Sequence, residues 1–383
     1  MRAFAPLLTS DQVEALPGRA REVVEYRKSG LSLNHIQGCP LDCAYCIRHT
    51  YGLWDQRQPR ALTSDDEAVE RLVSHRYFVP HVTPLQLFNR ATDPFLPSVR
   101  DHTFAVLENL DQRGLRNHVL VITRCRVRVG DCERLAAIRS LKLTLLFTYS
   151  GIDDSRIEPY PSREAAVSLV TASRYRLRRY RTVLYWRPLV PGLNDSPRHL
   201  ARAAELSKTG DATVFTGLFF RDEIAAYYQA NGLPAPYTQT ARRKIMPETL
   251  EQRVLEAFRR LGGGPLFRKT SCAVSYAHGL PDYNGHVGIR ELCDICPAGQ
   301  LTLCERAHRV PTASQVEEAA GALPEARELR VMDISERAAT VTGLPGEQPR
   351  YFLQHALGFQ VHDAAHPHRP QRHGRAEIGW GQP

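Results

Sequence analysis

Six times between residues 31 and 230 a short apolar run is followed by a helical stretch, and that alternation leaves few folds open. Leu31–Gln37, Pro84–Asn89, His118–Arg124, Leu143–Tyr149, Thr182–Leu189 and Ala212–Phe219 read as strands. The intervening helices carry start and stop signals. Ser64-Asp65-Asp66-Glu67 has capping-box spacing and opens a helix to about Tyr77. Ser98 caps a second that stops at Gly114, and Ser162 caps another after an Asp131–Ser140 helix. Ser196-Pro197 starts a helix ending at Gly210, and a last one runs through Tyr228. Strands that always return through a helix pair in parallel. The expected fold is therefore α/β, a partial (β/α)6 TIM-like barrel over residues 31–230, with an open doubly wound sheet as the alternative. Residues 1–30 are expected to be an irregular lead-in with helix around Gln12–Ala15 and Arg19–Tyr26.

The first strand delivers the chain into Cys39-Pro40-Leu41-Asp42-Cys43-Ala44-Tyr45-Cys46. Gaps of three and two residues let three sulfurs converge from one tight loop. Three thiolates suit three irons of a [4Fe–4S] cluster and leave the fourth iron open to another ligand. The alternative is a zinc site completed by a histidine such as His35 or His49. Four more cysteines, Cys272, Cys293, Cys296 and Cys304, form a second group, with Cys125 and Cys132 between. Clustered cysteines with no secretory n-region and no apolar run near membrane length read as metal ligands in a reducing compartment, so the expected location is cytoplasmic.

The first cysteine spacing, with Tyr45 directly before the last thiol, resembles the radical S-adenosylmethionine (SAM) superfamily. The resemblance implies that an open iron chelates SAM and that one electron, from a donor such as flavodoxin or ferredoxin, splits the sulfonium. The product would be a 5'-deoxyadenosyl radical that abstracts hydrogen from a small-molecule, sugar, peptide or nucleoside substrate. In α/β barrels the loops at the carboxyl ends of the strands build the site. Thr92 and Asp93 are therefore expected to hold the ammonium of SAM, Thr123 and Arg124 its carboxylate or ribose, and Arg187 to clamp a carboxylate. The turns Asn89–Pro97, Ile122–Arg124, Ile157–Pro159 and Pro188–Asp195 are similar to those of the branch that includes spore photoproduct lyase and DNA-repair-photolyase-like proteins. This adds Tyr45, Asn89 and Glu158 to the expected cofactor-binding set. Two departures stand out: the Arg90-Ala91-Thr92 turn lacks the lyase's donor thiol, and the lyase has no second group of four cysteines. Cys125 could donate hydrogen from another position, against a reading as a small core thiol. Cys132 reads as structural.

From about Gly232 the composition shifts. A helix is expected over Glu248–Leu261, ended by Gly262-Gly263-Gly264-Pro265, and residues 231–310 form a cysteine-rich module. Its four thiols can enclose a second [4Fe–4S] cluster, resembling the "Twitch" auxiliary type, or a structural zinc. A second cluster would move an electron in a dehydrogenation or epimerisation. Ser275–Gly279 and Pro281–His286 form a loop that either caps the barrel mouth or wraps the metal. Residues 311–383 are expected to be a small α/β region ending in a poorly ordered basic tail. The net charge of +9 admits nucleic acid as an alternative partner, in photoproduct-type repair or RNA modification, although the excess is scattered apart from the run Arg174, Arg176, Arg178, Arg179 and Arg181. A zinc-stabilised binding protein without radical chemistry is the remaining alternative.

Overall fold

The computed structural model describes residues 5–380. Its centre is a mainly parallel eight-stranded sheet whose strands lie in chain order. They are β1 (Val24–Arg27), β2 (Gly30–Leu33), β3 (Leu85–Leu87), β4 (His118–Thr123), β5 (Lys142–Tyr149), β6 (Arg181–Leu189), β7 (Ala212–Gly217) and β8 (Leu266–Phe267). Every neighbouring pair from β2 onward is parallel, as helical crossovers require. β1 departs from the expected helix over Arg19–Tyr26 and pairs antiparallel with β2, Val24 opposite Leu33 and Arg27 opposite Gly30. Tertiary packing decides its conformation. Tyr26 is buried, its Oη lies 2.8 Å from His355 Nδ1, and it meets Tyr77 and Phe352 edge-on. β8 has two residues, too short to carry a period in sequence.

The crossover helices begin and end for local reasons. Ser64 Oγ accepts the N–H of Glu67 at the start of Asp65–Val73, and Ser196 caps Pro197–Ser207, each cap worth about 1 kcal/mol. Ser98 and Ser162 do not cap. Val99 precedes the helix Arg100–Gln112, and the Ser162 hydroxyl turns back to Ser150 and the N–H of Gly151, 3.0 Å from each. Glu248–Leu261 is a helix closed by left-handed Gly262, as expected.

The edge strands approach each other. Lys28 follows β1 and Lys269 follows β8, and their side chains meet, the charge of Lys28 lowering Lys269, so the first and last strands come together. A second sheet, β9 (Arg330–Ile334), β10 (Ala338–Thr342) and β11 (Gln360–Asp363), packs with helices Ala313–Gly321 and Glu347–Leu357. The tail, expected to be poorly ordered, folds back onto the barrel. Ala376 N–H donates to Lys244 O at 2.9 Å, the Trp380 indole N–H to Met246 O at 2.6 Å, and Arg375 pairs with buried Glu251. Ile378 and Trp380 are the large apolar residues in this mostly polar stretch that could have signalled docking. No helix among the described residues is long and apolar enough to cross a membrane.

Candidate functional site

Gly38 turns the chain from β2 into the first cysteine loop. Its φ is +100°, and a Cβ there would sit 2.2 Å from Gln58 O, so only glycine fits. Gly38→Ala is expected to cost on the order of 1–3 kcal/mol and to misplace Cys39, which a lowered Tm and reduced iron retention would report. The loop is pinned by Cys39 N–H to Gln56 O, 3.0 Å, and Ala44 N–H to Ile157 O, 3.1 Å. Buried Arg48 donates to the carbonyls of Gln56 and Leu41 at 2.9 and 3.2 Å.

The three thiols are free, and they stand close enough that Cys46 raises both Cys39 and Cys43. Burial pushes Cys39 up to about 11, against the pull of Arg48. Burial likewise raises Cys43, against Arg124, whose guanidinium donates to Cys43 Sγ at 3.1 Å, to Tyr45 Oη at 2.7 Å and to Glu158 Oε1 at 2.8 Å. The Tyr45 hydroxyl donates in turn to Glu158. A ring of cation, phenol and carboxylate thus backs one thiol of the loop. Buried thiols beside arginines suit metal-bound thiolates, because bound metal supplies the positive charge that burial otherwise denies them.

The loop opens into a cavity of about 930 Å³. Its wall includes Cys39, Cys43, Cys46, Tyr45, Asn89, Thr92, Asp93, Arg124 and Arg187. Thr92 Oγ1 is buried without a hydrogen-bond partner, an orphan polar atom facing a place for a ligand. The other candidates stand elsewhere. Thr123 is absent from the wall because its hydroxyl donates to Asp93 at 2.6 Å and accepts from Cys125 N–H at 2.9 Å. Asp93 also accepts the N–H groups of Arg124 and Phe95, so it braces two strand ends from the wall. Glu158 sits behind Tyr45 and Arg124. Cys125 is packed in the hydrophobic core, its pKa raised by burial and then by Asp93, and it does not line the cavity. Cys132 is also in the core.

Apart from Arg187, sequence patterning gave no sign of how basic the rest of the cavity lining is. Lys28, Lys244, Lys269, Arg187, Arg242, Arg243, Arg350, Arg369 and Arg375 all face the cavity. Burial and then the charges of Arg350 and Lys244 depress Lys28 to about 8. Lys244 is lowered by burial together with Arg187 and Arg27, and Lys269 by burial together with Lys28 and Arg375. Tyr185 on β6 records the same field. Burial alone would raise its phenol, but Arg187, Lys244, Thr270 and Arg27 outweigh it and hold the pKa at about 8. Spectroscopic titration is expected to show one tyrosinate forming near pH 8, below the ordinary 10, and Tyr185→Phe to remove that step.

The second cysteine group gathers around Asp282–His286. Gly285, φ +66°, passes so close to Gly358 that a Cβ would lie 2.4 Å from its carbonyl oxygen. The four thiols influence one another electrostatically, and all are raised by burial. Cys304 Sγ accepts from Asp282 N–H at 3.4 Å and from the Gln300 amide at 3.2 Å, as a metal-bound thiolate would. His286 Nδ1 lies 2.8 Å from Asp282 Oδ2, while Asp282 Oδ1 is buried without a partner. Burial works against ionisation of Asp282, but His286 and Ser271 outweigh it and hold the carboxyl at about 2. Cys272, Asp282 and His286 also present ligand atoms within 4.8 Å of one another, a donor set that fits a single ion.

No family model matches the sequence. No curated protein matches it either. Several solved structures are similar in fold. Spore photoproduct lyase complexed with dinucleoside spore photoproduct is 11% identical over 63% of this chain and 76% of its own, with a TM-score of 0.45. A point mutant of that lyase gives 13% identity over 67% and 87%, with a TM-score of 0.48. Streptococcus suis SuiB bound to precursor peptide SuiA gives 10% over 65% and 50%, with a TM-score of 0.43. Likeness at this level leaves function to the residues themselves.

Proposed function

We propose that this chain is a radical SAM enzyme that abstracts hydrogen from a substrate held in the barrel cavity. The observation that carries the reading is a single loop presenting Cys39, Cys43 and Cys46 on the wall of a cavity of about 930 Å³ that the strand ends also line. In that reading the three thiols hold a [4Fe–4S] cluster and Arg124 steadies Cys43 through its 3.1 Å contact. When bound, the cluster and SAM together supply a 5'-deoxyadenosyl radical. Thr92, with its unpartnered hydroxyl, and Asn89 give SAM hydrogen-bonding groups, while Asp93 fixes the turn that carries Thr92. Arg187, stacked 4.1 Å from the Tyr185 ring centroid, offers a fork for a carboxylate. Cys125 is too deep in the core to reach substrate, so a donor of hydrogen would have to come from the cavity wall, where Tyr185 stands.

The four C-terminal thiols are read as a second metal centre. A second cluster suits four thiolates, whereas the Cys272–Asp282–His286 triad specifically favours zinc there. SAM binding to anaerobically reconstituted, unreduced protein tests the reading without turnover. Stoichiometric binding, weakened about tenfold by Thr92→Val, is expected from the loss of one hydrogen bond to a charged ligand. No binding in the parent would overturn it.

A further inference from the structure

We propose that the basic residues lining the cavity into which the cysteine loop opens bind a small anionic substrate, one bearing a phosphate ester or clustered carboxylates, through Lys28, Lys244, Lys269 and Arg187. The word substrate rests on the radical SAM reading; the anion site rests on the cavity itself.

Four separate parts of the chain bring these cations together. Lys28 comes from the β1–β2 turn, Arg187 from β6, Lys244 from the segment bridged to Leu218, and Lys269 from the turn after β8. The tail closes around two of them: Lys269 donates to His373 O, and the Lys28 ammonium lies against Gly374. Of the four acids on the cavity wall, Glu22 lies in the field of Arg90 and Arg19, and the other three are already engaged. Glu347 is held by Arg350 and Arg369, Glu25 by Arg19 and Arg90, and Asp93 by Thr123 and two backbone N–H groups. Among the described residues no carboxylate forms an ion pair with Lys28, Lys244 or Lys269, and Arg243 Nη2 is buried without a partner. Cations crowded in this way repel one another, and an anion between them converts the repulsion into attraction.

The space suits two ligands. At about 930 Å³ the cavity lies at the upper end of the roughly 300–1,000 Å³ typical of small-molecule sites, enough for a cofactor at the cysteine loop and a modest substrate beyond it. The charge converges inward rather than forming an exposed stripe along which a nucleic acid backbone could track. A compact anion fits better than a polymer.

Calorimetric titration of anaerobically reconstituted protein with inorganic pyrophosphate, citrate and a single-stranded oligonucleotide tests the assignment, in the parent and in the Lys28→Gln/Lys244→Gln double variant. Binding of pyrophosphate or citrate, weakened tenfold or more in the variant, is expected; preference for one identifies the phosphate or the carboxylate source. Failure of both anions to bind the parent, or equal binding by the variant, would overturn the proposal. So would an oligonucleotide that binds more tightly than either anion and depends on the same lysines. Should the variant not fold, the parent still decides: a bound anion must raise the Tyr185 midpoint, and an unchanged midpoint at saturation refutes the site. SAM cleavage in the same preparation separates the two readings. Anion binding without cleavage removes the radical reading alone, and cleavage without anion binding removes the anion site alone.

Discussion

Replacing Cys39, Cys43 and Cys46 together by Ala is expected to lower bound iron from about eight to about four per chain if both cysteine groups hold clusters, and to abolish SAM-dependent chemistry. The barrel should survive. Cys39 and Cys43 are packed at the cavity wall, and the loop around them is pinned by backbone bonds and by Arg48 rather than by the sulfurs. Burial holds the Cys39 and Cys43 thiols protonated in the metal-free chain, so removing them relieves no ion pair on which the fold depends. Iron and sulfide analysis beside thermal melting checks both halves. Undiminished iron in a folded variant would show that these thiols do not hold the cluster.

Replacing Cys272, Cys293, Cys296 and Cys304 by Ala should have the opposite balance. Residues 278–297 contribute little apolar core: Leu292 is buried, but Asn284 and His286 are the other buried side chains of the stretch. The helix Arg290–Cys293 is a single turn, and the longer helix Ala298–Ala307 buries only Gln300. Such a segment depends on its metal, since binding free energy there is folding free energy. Limited proteolysis within 278–297 is expected to accelerate roughly tenfold or more, corresponding to about 1.4 kcal/mol of easier local opening. The metal lost identifies the centre: about four irons for a cluster, one zinc for the Cys272–Asp282–His286 arrangement. Unchanged proteolysis and unchanged metal would remove the second centre altogether.

The parallel sheet was legible in sequence because its longer strands, such as β4, β5, β6 and β7, are runs of apolar, β-branched chain set between turn signals. Thr182–Leu189 lies within β6, and Glu248–Leu261 is a helix over its full expected span. Arg19–Tyr26 misled because Tyr26 is held extended by Tyr77, Phe352 and His355, which are distant in sequence. The tail misled for a similar reason: its Arg and Pro content reads as solvated, whereas Arg375 is drawn to buried Glu251 and Trp380 to Met246. At the site, the cysteine loop and the strand-end residues Asn89, Thr92, Asp93, Arg124 and Arg187 were found by position, since a barrel rule points to them. Thr123 and Glu158 sit one layer back because Asp93 and Tyr45 engage them first. The lysine wall carried no local signal. Lys28, Lys244 and Lys269 each follow one or two arginines, but the three short basic runs are far apart in sequence, and only closure of the sheet edges brings them together.

The central claim is best tested by assaying 5'-deoxyadenosine after adding SAM and a strong one-electron reductant to anaerobically reconstituted parent protein. Formation of 5'-deoxyadenosine by the parent, and none by the Cys39/Cys43/Cys46 alanine variant, is the predicted result. Intact SAM with a fully loaded parent, or equal cleavage by the variant, would contradict it.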